Sequence, residues 1–77
     1  MRISCDADDP GYAEWMKLGE TRFEVKVFLD DAEVREVITA DEEAGMLVRY
    51  RKNDEGRLIV ENGIFLRETL YGRVELH

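Results

Sequence analysis

Cysteine and histidine are almost missing from this sequence, and their scarcity excludes several kinds of site. Cys5 is the one cysteine, so the chain can form no internal disulfide and no zinc site built from several cysteines. His77 is the one histidine, and nothing in the spacing brings it beside Ser4 or Cys5, as a Ser-His or Cys-His catalytic pair requires. The sequence therefore predicts a protein that is not an enzyme and that uses no metal or cofactor.

Long apolar runs and an excess of positive charge are also missing. No stretch reaches the roughly 18 apolar residues of a membrane helix, and the first residues, MRISCDADDPGY, contain no apolar segment of signal-peptide length. The net charge of −7 disfavours general binding to nucleic acid or to an acidic membrane surface, because both require cations. We therefore expect a cytoplasmic protein that does not contact membranes and for which nucleic acid is a disfavoured partner.

Acidic residues are abundant and unevenly placed along the chain. Residues 1–45 contain 13 acidic and 5 basic residues, whereas residues 46–77 contain 5 acidic and 6 basic residues. The 77 residues suffice for a single small domain, residues 1–77, with one hydrophobic core. Because a small domain mixes its halves in space, the asymmetry indicates an acidic surface only if the fold preserves it.

Helix signals cluster between residues 9 and 19. Asp9 is a favourable N-cap, Pro10 suits the first helical position, and Gly19 suits the C-terminal end. Apolar residues recur near helical spacing between these limits: Tyr12, Trp15, Met16 and Leu18. A helix this short is unstable alone, so its apolar stripe should pack on a sheet.

Alternating apolar and polar residues predict strands in the rest of the chain. RFEVKVFLD (22–30) and EVREVIT (33–39) are typical of a hairpin whose tight turn is Asp30–Asp31, because aspartate tolerates left-handed backbone. In MLVRYRK (46–52), one face carries Met46, Val48 and Tyr50.

Three further segments complete the predicted sheet. NDEG (53–56) has the composition of a turn, and RLIVE (57–61) returns from it with Leu58 and Val60 facing inwards. NG (62–63) is a strong hairpin signal, and the last strand is RETLYGRVEL (67–76). The sequence predicts an α+β fold, a small antiparallel sheet of about five strands built from hairpins, with one short helix packed on its apolar face. A small half-open barrel is the alternative.

TADEEAG (39–45) separates the two groups of strands and carries three consecutive carboxylates. Thr39 and Glu42 form a Thr-x-x-Glu capping box, with Asp41 and Glu43 in a first helical turn, where the helix dipole favours negative charge. Three adjacent carboxylates on one turn rarely converge on a cation, so no metal site is expected. An acidic group of this kind is also a reasonable docking feature. The candidate partner surface is Asp30, Asp31, Asp41, Glu42 and Glu43.

Two other segments have a functional and a plainer interpretation. DADDPG (6–11) matches part of a calcium-loop pattern, but Lys17 stands where a bidentate glutamate is required. The C-terminal strands carry arginines and tyrosines of the kind that bind single-stranded nucleic acid: Arg49, Arg51, Arg57, Arg73, Tyr50 and Tyr71. The plainer account pairs these arginines across strands with Glu61, Glu68 or Glu75.

The run KVFLDDAEVREVITADEEAGMLVRYRKNDEGRLIVENG, with the later LYGRVEL, resembles a group of small uncharacterised proteins encoded by tailed bacteriophages and prophages. The resemblance covers residues 20–76 and is carried by the FLD turn, the ADEE-G link and the YG-VE ending. Relatives of this kind often have glycine where this chain has Asp31. The resemblance implies a phage or prophage product in the cytoplasm of a bacterial host, and it implies no activity or site residue.

These observations favour a non-enzymatic accessory protein that acts by protein–protein interaction, in particle assembly or as a homo-oligomer. One alternative is an acidic mimic of nucleic acid that inhibits a host DNA-binding protein, which requires carboxylates spaced like phosphates over one face. The other alternative is weak binding of single-stranded nucleic acid through the arginine-bearing C-terminal strands.

Overall fold

Short strands dominate the fold, which a computed structural model describes over all residues, 1–77. The helices are α1 (Tyr12–Lys17) and a 3₁₀ helix (Gly19–Glu24). The nine strands are β1 (Arg2–Ser4), β2 (Val27–Leu29), β3 (Ala32–Val34), β4 (Val37–Asp41), β5 (Met46–Tyr50), β6 (Val60–Glu61), β7 (Ile64–Phe65), β8 (Arg67–Tyr71) and β9 (Val74–Leu76). The predicted α+β class is confirmed, whereas the predicted numbers of about five strands and one helix are lower than those observed.

The strands form three antiparallel sheets. Their orders are β1-β4-β5-β8, β3-β2-β9 and β6-β7. The chain passes from the second sheet to the first between β3 and β4, where Glu36 has a φ of +60°. The prediction of one continuous strand over residues 33–39 is therefore wrong, because left-handed backbone at Glu36 divides the segment between two sheets.

The chain returns to the second sheet at Gly72, between β8 and β9. A Cβ atom at residue 72 would lie 2.7 Å from Oδ2 of Asp30 and 2.9 Å from Cδ1 of Leu29. The Gly72 N–H donates to the Gly45 carbonyl at 3.0 Å. Glycine at position 72 therefore permits two turns and the strand crossing to pack in one place.

The hydrophobic core lies where these two sheets face each other. Its buried members come from five strands: Ile3, Val27, Ala40, Leu47 and Val74. Leu47 is completely buried, so β5 faces the core with this residue and not with the face that carries Met46, Val48 and Tyr50. Val60, which was predicted to face inwards, is 50% exposed.

The helical region differs from its prediction at its start and in the helix that follows it, whereas the predicted end at Gly19, which has a φ of +62°, is confirmed. α1 begins at Tyr12 after a Gly11 N-cap that makes no side-chain hydrogen bond. Asp9 is not the N-cap, because it lies two residues before Gly11; its carboxylate accepts the Gly11 N–H at 2.7 Å and binds Arg2. The 3₁₀ helix includes Phe23, so the strand predicted from residue 22 is reduced to Val27–Leu29.

The longest helical segments contain six residues each. A membrane-spanning helix requires about 20 residues, so no helix of this chain has the length to cross a bilayer.

The predicted tight turns are confirmed. Asp30 and Asp31 have φ values of +50° and +70° and join Leu29 to its cross-strand partner Ala32. Asn62 and Gly63 join β6 to β7 in the same way, with φ values of +52° and +76°. Left-handed backbone at both central residues is typical of the two-residue hairpin turn that matches the twist of the flanking strands.

Candidate functional site

The TADEEAG segment is the end of β4 (residues 39–41) followed by a turn (residues 42–45), and it contains no helix. Thr39 lies within β4, where its hydroxyl is buried 2.7 Å from that of Ser4 on β1. The predicted capping box is therefore wrong, since pairing with a distant strand uses the threonine. Asp41 instead organises the turn, because its Oδ1 accepts the N–H groups of Glu43 and Ala44 at 3.1 and 2.9 Å.

The structure brings the two predicted acidic turns to the same strand crossing. On one side of Gly72, Oδ1 of Asp30 accepts the Arg73 N–H at 2.9 Å, and the Asp31 carboxylate binds the Arg73 guanidinium. On the other side lies Gly45, the last residue of the second turn. The hydrogen bond to the Asp31 carboxylate raises the pKa of Arg73.

Arg2 connects the second acidic turn to the segment before α1. Its guanidinium lies 2.6 Å from Oδ2 of Asp9 and 3.3 Å from Oδ2 of Asp41. The hydrogen bond from Arg2 lowers the pKa of Asp9. The N–H of Ala44, followed by the Arg2 guanidinium, lowers the pKa of Asp41. These carboxylates therefore stabilise the fold directly.

Glu42 and Glu43 also have partners within the chain. Oε2 of Glu42 accepts the Leu76 N–H at 3.2 Å, on the outer edge of β9. Oε1 of Glu43 lies 2.8 Å from the Met1 amino nitrogen. All five predicted surface carboxylates thus make contacts inside the molecule, and sequence reasoning missed their partners because those lie far away in the chain.

Ion pairs also involve arginines of the C-terminal strands. Nε of Arg49 lies 3.0 Å from Oε1 of Glu68, its cross-strand neighbour, which confirms the plainer account for this residue. Arg67 reaches Asp6, with 3.2 Å between Nη1 and Oδ2. The N–H of Asp8 and the Arg67 guanidinium lower the pKa of Asp6. The carboxylate of Asp6, the first residue of the rejected calcium-loop pattern, is therefore occupied by protein donors.

An open groove of about 660 Å³ leads from the surface to the core. β1 and β4 line one wall, and β2, β3 and the 3₁₀ helix line the other. Its apolar lining includes Trp15, Phe23, Val25, Val34, Val37 and Ile38. Cys5 is exposed at this groove. We call this feature the apolar groove, and its volume lies within the range of about 300–1,000 Å³ that is typical of ligand pockets.

Arg22 is the most unusual residue of the apolar groove. Its guanidinium carbon lies 4.4 Å from the centroid of the Phe23 ring and 5.3 Å from that of Trp15. The Nη1 group donates to the Gly19 carbonyl, but the buried Nε–H has no acceptor. Sequence reasoning missed this cluster because the alternation around Phe23 predicted a strand.

Residues 51–66, which we call the apolar arm, contain no buried residue. They include the β6–β7 hairpin and a bridge between Lys52 and Leu58. Three large apolar side chains of the arm are strongly exposed: Val60 at 50%, Ile64 at 67% and Phe65 at 49%. Sequence reasoning located the turns of the arm, but it placed Val60 inside the fold.

The apolar arm joins the body through few contacts. The Arg51 N–H donates to the Leu66 carbonyl at 2.9 Å, closing its base. The Tyr50 ring meets that of Phe65 with 5.9 Å between centroids. Lys52 forms an ion pair of 3.0 Å with Glu36, a residue that also lines the apolar groove.

No group of three His, Cys, Asp or Glu side chains is arranged to hold a metal ion. The sequence matches no protein-family model, and no curated protein or solved structure is significantly similar to it. The geometry of the chain therefore carries the functional argument, which rests on the apolar arm, the apolar groove and the acidic turns.

Proposed function

We propose that this chain is a non-enzymatic interaction protein whose main contact surface is the apolar arm. The exposed Val60, Ile64 and Phe65 carry the proposal. Val60 and Phe65 are cross-strand partners on one face of the hairpin, and Ile64 lies on the other face. Exposed apolar side chains of this kind mark contact sites, because burial against a partner removes them from water. A phage- or prophage-derived accessory role, in particle assembly or host takeover, forms part of the proposal and rests on the resemblance of residues 20–76.

The arm has the chemistry expected at the centre of an interface. Aromatic side chains are enriched there, whereas charged residues belong to the rim. Phe65 supplies the aromatic side chain, with Val60 beside it across the hairpin. The arm also carries charged residues that can form a rim: Arg51, Lys52, Asp54, Glu55, Arg57 and Glu61.

The acidic turns have a secondary role in this proposal. Their carboxylates already bind donors of the chain, so a partner must compete with those contacts. Asp31 and Glu43 nevertheless remain exposed, at 77% and 84% of their side chains. Exposed charge of this kind steers association more than it contributes to affinity.

The two alternatives receive weaker support. An acidic mimic of nucleic acid needs an uninterrupted carboxylate face, but Arg2 and Arg73 lie among the carboxylates. Binding of single-stranded nucleic acid needs free cations, and Arg49 and Arg67 are engaged by Glu68 and Asp6.

Affinity capture from phage-infected bacterial lysate tests the proposed function. The immobilised wild type should retain proteins that an Ile64→Ser/Phe65→Ser variant loses. A Tyr71→Ser variant is the matched control, because Tyr71 is a large side chain, 75% exposed, outside the arm.

A Glu42→Gln/Glu43→Gln variant separates the acidic turn from the arm in the same assay. It removes charge but keeps oxygen acceptors for the Met1 and Leu76 donors. The arm variant should lose capture and the acidic variant should retain most of it. Equal capture by the wild type and the arm variant, from protein that also does not self-associate through its arm, would contradict the proposed function.

A further inference from the structure

We propose that the partner of the apolar arm is a second copy of this chain, and that the arm of each copy occupies the apolar groove of the other. This inference rests on the proposed function, since it identifies the partner of the same arm. The arm exposes Ile64 on one face and half of Phe65 on the other, and the groove presents Phe23, Val34 and Val37. One chain therefore supplies both halves of an apolar contact.

The arm and the groove lining both have a net charge of zero. The arm is electrically neutral, with three basic and three acidic residues: Arg51, Lys52, Arg57, Asp54, Glu55 and Glu61. The lining of the groove is neutral in the same way: Arg22, Lys26, Arg35, Glu24, Glu33 and Glu36. Two copies of net charge −7 repel each other elsewhere, so these neutral surfaces are where they can meet.

The position of the arm favours a reciprocal arrangement. Glu36 lines the groove, and it also anchors the base of the arm through the Lys52 ion pair and a carbonyl that accepts the Tyr50 N–H at 3.3 Å. A two-fold axis beside Glu36 would bring each arm to the groove of the other copy. Such an isologous dimer forms the same contact twice and leaves no arm uncovered.

Light scattering across a wide range of protein concentration, on the full chain, tests this dimer. The wild type should form dimers, and the Ile64→Ser/Phe65→Ser variant should raise the dissociation constant by about 10- to 100-fold. Phe23→Ser, which changes a groove side chain that is 71% exposed, should do the same. The Tyr71→Ser control should dimerise like the wild type.

Mixing the two dissociating variants makes the test specific. The arm variant keeps an intact groove, and Phe23→Ser keeps an intact arm, so the mixture should form a heterodimer with one of the two contacts restored.

Trp15 and Cys5, the single tryptophan and cysteine, both line the groove. Trp15 fluorescence should shift with dimer formation, and a thiol reagent should modify Cys5 more slowly in the dimer.

A chain that stays monomeric at every concentration, or a dimer that resists both the arm and the groove variants, would overturn the inference. Monomeric protein that still captures host proteins through its arm would overturn the dimer and leave the proposed function standing. Monomeric protein without arm-dependent capture would overturn both.

Discussion

The hydroxyl groups of Ser4 and Thr39 meet at 2.7 Å in the buried interface between β1 and β4. The two residues are direct cross-strand partners. Ser4 Oγ also accepts the N–H of Asp6 at 3.1 Å, so the pair fixes the chain where it leaves β1.

The loss of stability on removing both hydroxyls should therefore be smaller than the sum of the losses on removing each one alone. Ser4→Ala or Thr39→Val leaves a buried polar group without its partner, at a cost of about 1–3 kcal/mol. Ser4→Ala should be the more damaging, since it also orphans the Asp6 N–H. Urea unfolding of both single variants and the double variant should show a double-variant loss smaller than the two single losses together. Additive losses would mean that the hydroxyls act independently.

Leu47 should dominate the contribution of β5 to stability. Leu47→Ala removes a completely buried side chain and should lower the free energy of unfolding by about 2–5 kcal/mol. Met46→Ala, on the partly exposed face, should cost clearly less. Thermal or urea unfolding compares them, and a larger loss for Met46→Ala would show that β5 is turned the other way.

Gly72 should tolerate no side chain while Asp30 is present. Gly72→Ala places a methyl group 2.7 Å from Oδ2 of Asp30, and crowding of this kind costs about 1–3 kcal/mol. In an Asp30→Gly background, where the carboxylate is gone, Gly72→Ala should cost less. Equal losses in the two backgrounds, measured by urea unfolding, would show that the crossing is not packed against Asp30.

Acid should weaken the Arg2 network. The pKa values of Asp9 and Asp41 lie below their ordinary 3.8 in the folded protein, so both groups bind protons more weakly folded than unfolded. Their stabilising contribution is fully present above 3.8 and is lost as the pH falls through the lower folded-state pKa.

Arg2→Gln should flatten this dependence, because it removes the cation. Urea unfolding over a series of pH values from neutral to acid measures the slope. Glu14→Gln is the control, since Glu14 pairs with Lys17 on an exposed helix face. An Arg2→Gln slope equal to that of the wild type would exclude the network as the cause.

Amide hydrogen exchange should divide the molecule into a protected body and an open arm. The N–H groups of Ile59 and Leu66 are hydrogen-bonded at 3.0 and 2.9 Å, but no buried residue surrounds them. In dilute protein they should exchange faster than those of Ala40 and Leu47, because few apolar contacts oppose local opening. Uniform protection would mean that the arm unfolds together with the core.

The sequence predicted those features that depend on neighbouring residues. The Asp30–Asp31 and Asn62–Gly63 turns were found because left-handed backbone has a local residue preference. Glu36 has the same backbone geometry without any such preference, so the crossing from β3 to β4 was missed. Thr39 was misplaced because its capping pattern competes with a partner 35 residues away.

In the candidate site, too, the sequence predicted features that depend on neighbouring residues and missed features that depend on the tertiary fold. Alternating apolar residues in the arm correctly indicated strands, but alternation does not say whether a strand faces a core or solvent, so Val60 was placed inside. The Arg22 cluster depends on the 3₁₀ helix and on stacking with Trp15, which only the tertiary fold establishes.

The arm begins and ends at one cross-strand pair, Tyr50 and Arg67. Residues 51–66 are therefore an insertion whose two ends already lie side by side, and the sheet does not depend on what connects them. Insertions with adjacent ends can be lengthened or exchanged at little cost in loop entropy. Evolution or an engineer can accordingly graft a different hairpin onto this scaffold and change what it recognises without redesigning the core.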